Sequence, residues 1–334
     1  MSEQDIIKEY GDVLLEASHI TDNPPPVISI GPKIDMALGG GVPEGSLVIF
    51  AGIPKAGKTI SALTFCRNAQ KVLIDKKPRK IYFGNIEGRI KKRDLEGIQD
   101  LDLNPDIFKI VGSTRGNILS GENYLSIFDK VIHNEPHAVG VIDSFSALAA
   151  EKEMTNEIGD ADVAPIHKFL AKFTRRFANV LPINRVTLVG ITHLMANIQK
   201  FGHGKKRIEK SGTALQYAQD VKLMTEYFKP LMQGETQIGQ KVEWTIHNSS
   251  LGPPGQKVVS IIKYGVGIWN EYEVAELLKE FGIAQGKSWL KIEGIEQKFQ
   301  GLTNLAVYLE ENPIAYSDFK TQAFEMVGVP VYEN

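Results

Sequence analysis

A chain of 334 residues, 43% hydrophobic and 23% charged, has the make-up of a soluble globular protein, long enough to bury roughly three quarters of its unfolded surface. Its single cysteine, Cys66, excludes an internal disulfide and suits a reducing cytoplasm, and no apolar run is long enough to span a bilayer. A net charge of −2 excludes a polycation, so any nucleic-acid site has to be a local basic surface.

The first residues, Met1-Ser-Glu-Gln-Asp-Ile-Ile-Lys-Glu-Tyr10, lack the apolar core of a secretory leader. Asp5 to Ala17 can form a short helix with Ile6, Ile7, Tyr10, Val13 and Leu14 near one face, and Thr21-Asp-Asn-Pro-Pro-Pro26 stops it. A proline run is a stiff connector. The helix is therefore expected to stand off the main body, either as a frayed terminus or as an arm that docks on a neighbouring copy.

Gly39-Gly-Gly-Val-Pro-Glu-Gly45 turns the chain into Ser46-Leu-Val-Ile-Phe-Ala51, a buried strand. Next comes Gly52-Ile53-Pro54-Lys55-Ala56-Gly57-Lys58-Thr59, followed by Ile60 and a helical stretch to Gln70. The octapeptide matches G-x-x-x-x-G-K-[ST], the phosphate loop, and it sits between a strand and a helix as that motif requires. Such a turn aims backbone N–H groups at an anion. Lys58 is placed to reach the outer phosphates of ATP, and the Thr59 hydroxyl to ligate Mg²⁺.

Further apolar runs at Lys80-Ile-Tyr-Phe83, Ile107 to Val111, Val139-Gly-Val-Ile-Asp143 and Val186 to Thr192 read as strands, most of them separated by helical stretches. That alternation predicts a mainly parallel sheet covered on both faces. Val221 to Thr225, Lys241 to His247 and Lys257 to Tyr264 lack long intervening helices and predict an antiparallel extension. From Tyr272 onward the pattern returns to helix, with Val274, Leu277, Leu278 and Phe281 on one face.

The strand ends carry the candidate chemistry. Asp143 closes an apolar strand, as does the aspartate that holds the Mg²⁺ shell in phosphate-loop ATPases. Glu87 follows the strand ending at Phe83 and can polarise an attacking water. Arg89 and Arg93 come next. Each can stack on an adenine ring or simply be a solvated surface arginine. His193 ends the strand Val186 to Thr192, where it is either a sensor of the γ-phosphate or a hydrogen-bonded surface histidine. Behind it, Leu194 to Ser211 holds Lys200, Lys205, Lys206, Arg207 and Lys210 against the single acid Glu209, with Phe201, Gly202 and Gly204 among them. Such a loop can neutralise phosphates, and its aromatic can stack on bases. The loop Glu151 to Asp162 is acidic. The helix beginning near Asp162 has Val163, Ile166, Leu170, Phe173 and Phe177 as its core face. No Cys-x-x-Cys pair, His/Cys cluster or Gly-x-Ser-x-Gly elbow appears, so neither a zinc site nor a serine nucleophile is expected.

Together these segments resemble the RecA-type recombinases, and look closest to the phage UvsX-like branch. The likeness runs from about Ile28 to Phe324. Ile28-Ser-Ile-Gly-Pro-Lys-Ile-Asp35-Met-Ala-Leu38-Gly is similar to the stretch before the family's phosphate loop. Tyr82-Phe-Gly-Asn-Ile-Glu87 is similar to the segment ending in the catalytic glutamate, and Val141-Ile-Asp143-Ser-Phe-Ser-Ala-Leu148 to the magnesium strand. Glu157-Ile-Gly-Asp160 resembles part of the first DNA-binding loop. Ile191-Thr-His193 stands where the γ-phosphate sensor opens the second. Ser211-Gly-Thr-Ala-Leu-Gln-Tyr217-Ala resembles that loop's exit helix, whose aromatic lies at the subunit interface. Gly301 to Pro313 is similar to the small C-terminal region. A phosphate loop alone is widely shared; this ordered set is far more specific.

The resemblance implies an α/β protein: a RecA-like ATPase core over 28–268, a docking helix and linker over 1–27, and a small C-terminal α/β region over 269–334. It implies a cytoplasmic protein, bacterial or in a phage-infected host, that forms a helical homo-oligomeric filament on single-stranded DNA. ATP is gripped between subunits, the filament pairs with a homologous duplex and exchanges strands, and single-strand-binding and mediator proteins are candidate partners. Glu87, Lys58 and His193 take the catalytic roles, and no membrane is involved. The chain also departs from the family. Where bacterial members place two lysines across the ATP from the adjacent subunit, it reads His247-Asn248-Ser249-Ser250, leaving His247 as the interface candidate. The sensor is His193 where the bacterial branch has glutamine, and the adenine-stacking tyrosine has no evident counterpart. Two other readings stay open: a ring-forming helicase motor on the same core, and an accessory filament protein that binds ATP with little catalysis.

Overall fold

The computed structural model describes residues 3–11, 13–16, 18, 21–157, 166–196, 207–209, 213–249 and 253–332. Its strands in chain order are β1 (Val27–Ile28), β2 (Val42–Pro43), β3 (Leu47–Gly52), β4 (Ile81–Asn85), β5 (Phe108–Val111), β6 (Val139–Asp143), β7 (Thr187–Ala196), β8 (Arg207–Glu209), β9 (Val221–Gln233), β10 (Thr236–Ser249), β11 (Lys257–Lys263), β12 (Gly267–Ile268), β13 (Ala284–Gln285), β14 (Trp289–Ile292) and β15 (Phe299–Gln300). The main sheet runs β12-β11-β10-β9-β3-β7-β6-β4-β5, with β8 added to β7. It is parallel from β9 through β3 to β5 and antiparallel from β9 outward to β12. Both halves of the expected sheet are present.

β3 is the central strand and is buried along its whole length. Its side chains alternate between two cores, as the two-residue period of a strand demands. Val48 and Phe50 join one cluster with Leu63, Phe65 and Cys66 of the helix Lys58–Lys71. Leu47, Ile49 and Ala51 join the other, with Leu125 and Phe128 of the helix Gly121–Asn134 and Leu170 and Phe173 of the helix Ile166–Phe177. A strand covered on both faces reads as an unbroken apolar run, which is why Leu-Val-Ile-Phe-Ala has no polar position. Ile166, Leu170, Phe173 and Phe177 are buried as their spacing predicts, while Val163 lies outside the described residues.

The helix Lys58–Lys71 is covered on nearly every side, so even Arg67, Asn68 and Gln70 are buried. Each meets a loop: Arg67 Nη1 donates to the Val266 carbonyl at 3.2 Å, Asn68 Nδ2 to that of Ser29 at 2.8 Å, and Gln70 Nε2 to that of Asp102 at 2.9 Å. These bonds satisfy polar groups that burial would otherwise penalise, and they hold in place the helix that carries the phosphate loop.

The C-terminal part packs β13–β15 and the helices Asn270–Glu280, Gly301–Glu311 and Pro313–Glu325 around a third cluster, which also takes in Leu231 and Ile261 of the main sheet. Glu273 ties it to the core. Fully buried, it accepts from Ser260 Oγ at 2.8 Å, the Ile261 N–H at 3.0 Å and the Lys33 N–H at 3.1 Å. Phe281, expected on the buried face of its helix, caps the end and is half-buried.

Two expectations about extent are corrected. The first helix covers Glu3–Tyr10, not Asp5 to Ala17. Gly11 follows it with φ +84°, a left-handed conformation that ends helices. No residue of this helix is buried, and Ile7, Tyr10, Val13 and Leu14 are exposed. Second, the segment expected to be loop from Leu194 is at first a ladder: Leu194, Met195 and Ala196 pair with Glu209, Ile208 and Arg207. β7 therefore carries on past His193. Among the described residues no helix is long and apolar enough to cross a membrane.

Candidate active site

The carboxyl ends of β3, β7, β6 and β4 lie side by side, with Gly52 in register with His193 and Asn85 with Asp143. Residues far apart in the chain thus meet at one edge. Gly57 stands at the turn into the helix Lys58–Lys71 with φ 77° and ψ 8°, and no side chain caps that helix. Its first N–H groups are available for an anion. Gly52 is needed for a different reason: a Cβ there would lie 2.5 Å from Thr225 Cγ2. The loop backbone is tied to β9 by the Ile53 N–H donating to the Thr225 carbonyl at 3.2 Å. Pro54 and Lys55 are exposed, Ile53 and Ile60 half-buried, and Ala56 buried.

Lys58 is only 5% exposed. Its Nζ donates to the Gly52 carbonyl at 3.1 Å and to the Ile53 carbonyl at 2.7 Å, inside the loop it would serve. Burial lowers its pKa to about 8, against the pull of Asp143 and Glu87, which favour the charged form. Thr59 Oγ1 donates to Asp143 Oδ2 at 2.8 Å. Glu87 Oε1 lies 2.6 Å from His193 Nε2 and accepts from Ser144 Oγ at 2.8 Å. The His193 N–H in turn donates to Ser146 Oγ at 2.9 Å.

The two carboxylates are pushed in opposite directions. The hydrogen bond from His193, joined by that from Ser144, lowers the Glu87 pKa to about 2 in spite of burial. Burial raises that of Asp143 to about 6, and the neighbouring Glu87 adds to the rise. Paired acids whose environments separate them have separate tasks. Glu87 is held as a carboxylate. Asp143 is a half-buried oxygen donor whose ionisation would be favoured by a cation beside the Thr59 hydroxyl. Among the described residues no group of three or more His, Cys, Asp or Glu side chains gathers to hold a metal. Magnesium is commonly bound by one or two protein oxygens together with substrate phosphates and water. Thr59 and Asp143 fit such an ion.

The remaining candidates fall around this centre. Arg89 lies beside Glu87, its Nη1 3.6 Å from Glu87 Oε2, with its side chain 85% exposed. Arg93 is in the short helix Lys92–Leu95, close to Asp94 and far out in solvent. Arg207 begins β8, so the basic segment returns to the sheet right beside Ala196. Lys200, Phe201, Lys205, Lys206 and Lys210 lie outside the described residues, as do 158–160 of the proposed first DNA loop. Tyr217, in the helix Thr213–Ala218, is 90% exposed, and His247, near the end of β10, is exposed as well.

The sequence reading missed four contributors. Ser144 and Ser146 reach Glu87 and His193. Thr225 backs Gly52, and Gln240, 8% exposed, comes within 3.5 Å of the Lys55 carbonyl from β10. Ser144 had a local signal, since it follows Asp143 directly. Thr225 and Gln240 had none, because only the pairing of β9 with β3 and β10 brings them there.

The family model of the RecA N-terminal domain matches residues 4–269. The chain is 27% identical over 333 residues to the protein RecA of Saccharopolyspora erythraea, covering 97% of this chain and 90% of that one. It is 29% identical over 321 residues to the protein RecA of Corynebacterium glutamicum strain R, covering 93% and 80% respectively. With the protein RecA of a Nitratiruptor species the identity is 27% over 299 residues, with 89% and 83% covered.

Proposed function

Because this chain belongs to the RecA family, we propose that it is a DNA-dependent ATPase that polymerises on single-stranded DNA into a helical filament and carries out homologous pairing and strand exchange. The observation that carries the reading is the meeting of Lys58, Thr59, Asp143, Glu87 and His193 at one sheet edge. His193 lies three residues before the end of β7, from which the basic segment departs.

In this reading the free N–H groups of the loop and the Lys58 ammonium bind the phosphates of ATP. Thr59 and Asp143 would hold the ion, which would supply Lewis-acid polarisation of the phosphoryl oxygens. Glu87 orients and deprotonates the attacking water. His193, in contact with Glu87 at one end and continuous with the β7–β8 ladder at the other, couples the state of the triphosphate to Lys200, Phe201, Lys205, Lys206, Arg207 and Lys210 on the DNA strand. The exposed apolar side chains of the first helix and the exposed Tyr217 support contact between protomers. Arg89 or Arg93 as adenine platform, His247 as a contact across the ATP, kinship with the phage branch, a cytoplasmic setting and help from single-strand-binding or mediator proteins complete the proposal.

ATP turnover measured with and without single-stranded DNA, together with negative-stain images of the same mixtures, tests it. DNA-stimulated turnover with helical filaments is expected. Rings would favour a helicase motor. ATP-bound filaments without turnover would favour an accessory protein, a result in keeping with the absence of lysine at His247-Asn248-Ser249-Ser250.

A further inference from the structure

The end of β6 grips the candidate base twice. The Asp143 carbonyl accepts the N–H groups of Ile86 at 3.0 Å and Glu87 at 3.3 Å. The next residue, Ser144, is fully buried and donates its hydroxyl to Oε1 of Glu87. His193 uses that same oxygen. Among the described residues, Oε2 pairs only with Arg89, at 3.6 Å and from a largely solvated side chain. The two oxygens of the carboxylate are therefore unequal: one carries two short bonds, and the other, among the described residues, only the longer contact to Arg89.

We propose that Ser144 is a positioning residue for ATP hydrolysis, anchoring Oε1 of Glu87 so that Oε2 is presented to the attacking water. The inference rests on Glu87 being the base. The terminal torsion of a glutamate is broad and nearly two-fold, so a carboxylate with a single anchor interchanges its oxygens freely. His193 is a poor permanent anchor, because a residue that reports on the triphosphate has to exchange partners. Ser144 is buried at the residue directly after β6, a strand paired on both sides by β4 and β7. Its bond is to an ionised acceptor, the stronger class of hydrogen bond, and it persists when His193 lets go.

The test uses the full chain with single-stranded DNA and compares Ser144→Ala, Ser144→Cys and Glu87→Gln. Assembly of filaments with a non-hydrolysable ATP analogue serves as the control for folding. Ser144→Ala is expected to lower kcat by about 10- to 100-fold, the loss expected for one hydrogen bond to a charged group. KM for ATP and the magnesium requirement should stay within about two-fold, since transition-state positioning is lost and not substrate binding. Cysteine, similar in size but a weak donor, should be nearly as slow, and it carries the comparison if the alanine variant does not assemble. Glu87→Gln should stop turnover. If Glu87→Gln is inactive but Ser144→Ala and Ser144→Cys turn over at the wild-type rate, Ser144 has no positioning role. The inference also fails if Ser144→Ala raises the magnesium requirement with kcat unchanged, because the serine then acts through Asp143. A Glu87→Gln variant that still hydrolyses ATP removes the base itself, and this inference with it.

Discussion

Substituting Gly57 by alanine probes the phosphate loop at the point where backbone and packing constraints coincide. Gly57 has φ 77°, and a Cβ added there would lie 2.4 Å from Ile262 Cδ1 and 2.8 Å from Gln240 Nε2. The left-handed conformation costs an L-residue roughly 1–2 kcal/mol. Forcing a methyl group against a packed neighbour costs about 1–3 kcal/mol, and Ile262 is 1% exposed within the first cluster, with little room to withdraw. Alanine also narrows the unfolded ensemble, which offsets about 0.4–1 kcal/mol. The net loss is about 1–5 kcal/mol, a fall in Tm of roughly 1–7 °C for a chain of this size. Part of the strain can be relieved by deforming the loop, so ATP binding should weaken together with Tm. Calorimetry and titration with a fluorescent ATP analogue read the two effects. Adding Ile262→Ala removes the clash but not the left-handed strain, so the two substitutions should be non-additive by about 1 kcal/mol or more. A Gly57→Ala protein that melts and binds ATP like the wild type would refute both the conformation and the contact.

Lys58→Ala should abolish ATP-dependent filament formation, and wild-type-like filaments from that variant would overturn the assignment of the phosphate site. Neutralising Lys205, Lys206 and Arg207 together should weaken DNA binding and flatten its dependence on log salt by up to about 2 in slope, given about 0.7 per phosphate contact on single strands; an unchanged slope would place the basic segment off the DNA path. His193→Ala removes the main cause of the low Glu87 pKa, which in the native chain falls from 4.5 to about 2. A lowered carboxylate pKa stabilises the fold above its unfolded value and loses that effect as pH falls through its folded one. The stability advantage of wild type over His193→Ala should therefore be full at pH 6 and shrink from about pH 4.5 downward; denaturant melts at pH 6, 5 and 4 measure it, and a gap that is constant or widens toward acid would contradict the pairing.

Much of the architecture was legible because strand periodicity and strand-end chemistry are local properties. The run from Leu47 to Ala51 is apolar because both faces of β3 are covered. Asp143 and Glu87 could be picked out because chemistry in a parallel sheet collects at the carboxyl ends of strands. The first helix was drawn too long because its apolar spacing continues past Gly11, where the backbone turns left-handed. The basic segment was drawn too long because a short ladder such as Leu194–Ala196 with Arg207–Glu209 has no periodicity of its own. Arg89 and Arg93 could be nominated to stack on the adenine ring only by their nearness in sequence to Glu87, and distance along the chain says nothing about which way a side chain points.

By itself the amino-acid order settled the phosphate loop, since glycine at positions 52 and 57 and the Lys-Thr pair act through the backbone of one short segment. It also settled the class of sheet and which acids stand at the carboxyl ends of β6 and β4. The tertiary structure alone decided which groups touch. His193 shares an oxygen of Glu87 with Ser144, Thr59 bonds Asp143, and Ile262 and Gln240 close around Gly57, because β3 lies between β7 and β9 with β10 alongside. Those contacts join residues tens to hundreds of positions apart. They depend on strand order and register, which arise from burying the whole sheet at once and leave no imprint on any single stretch of chain.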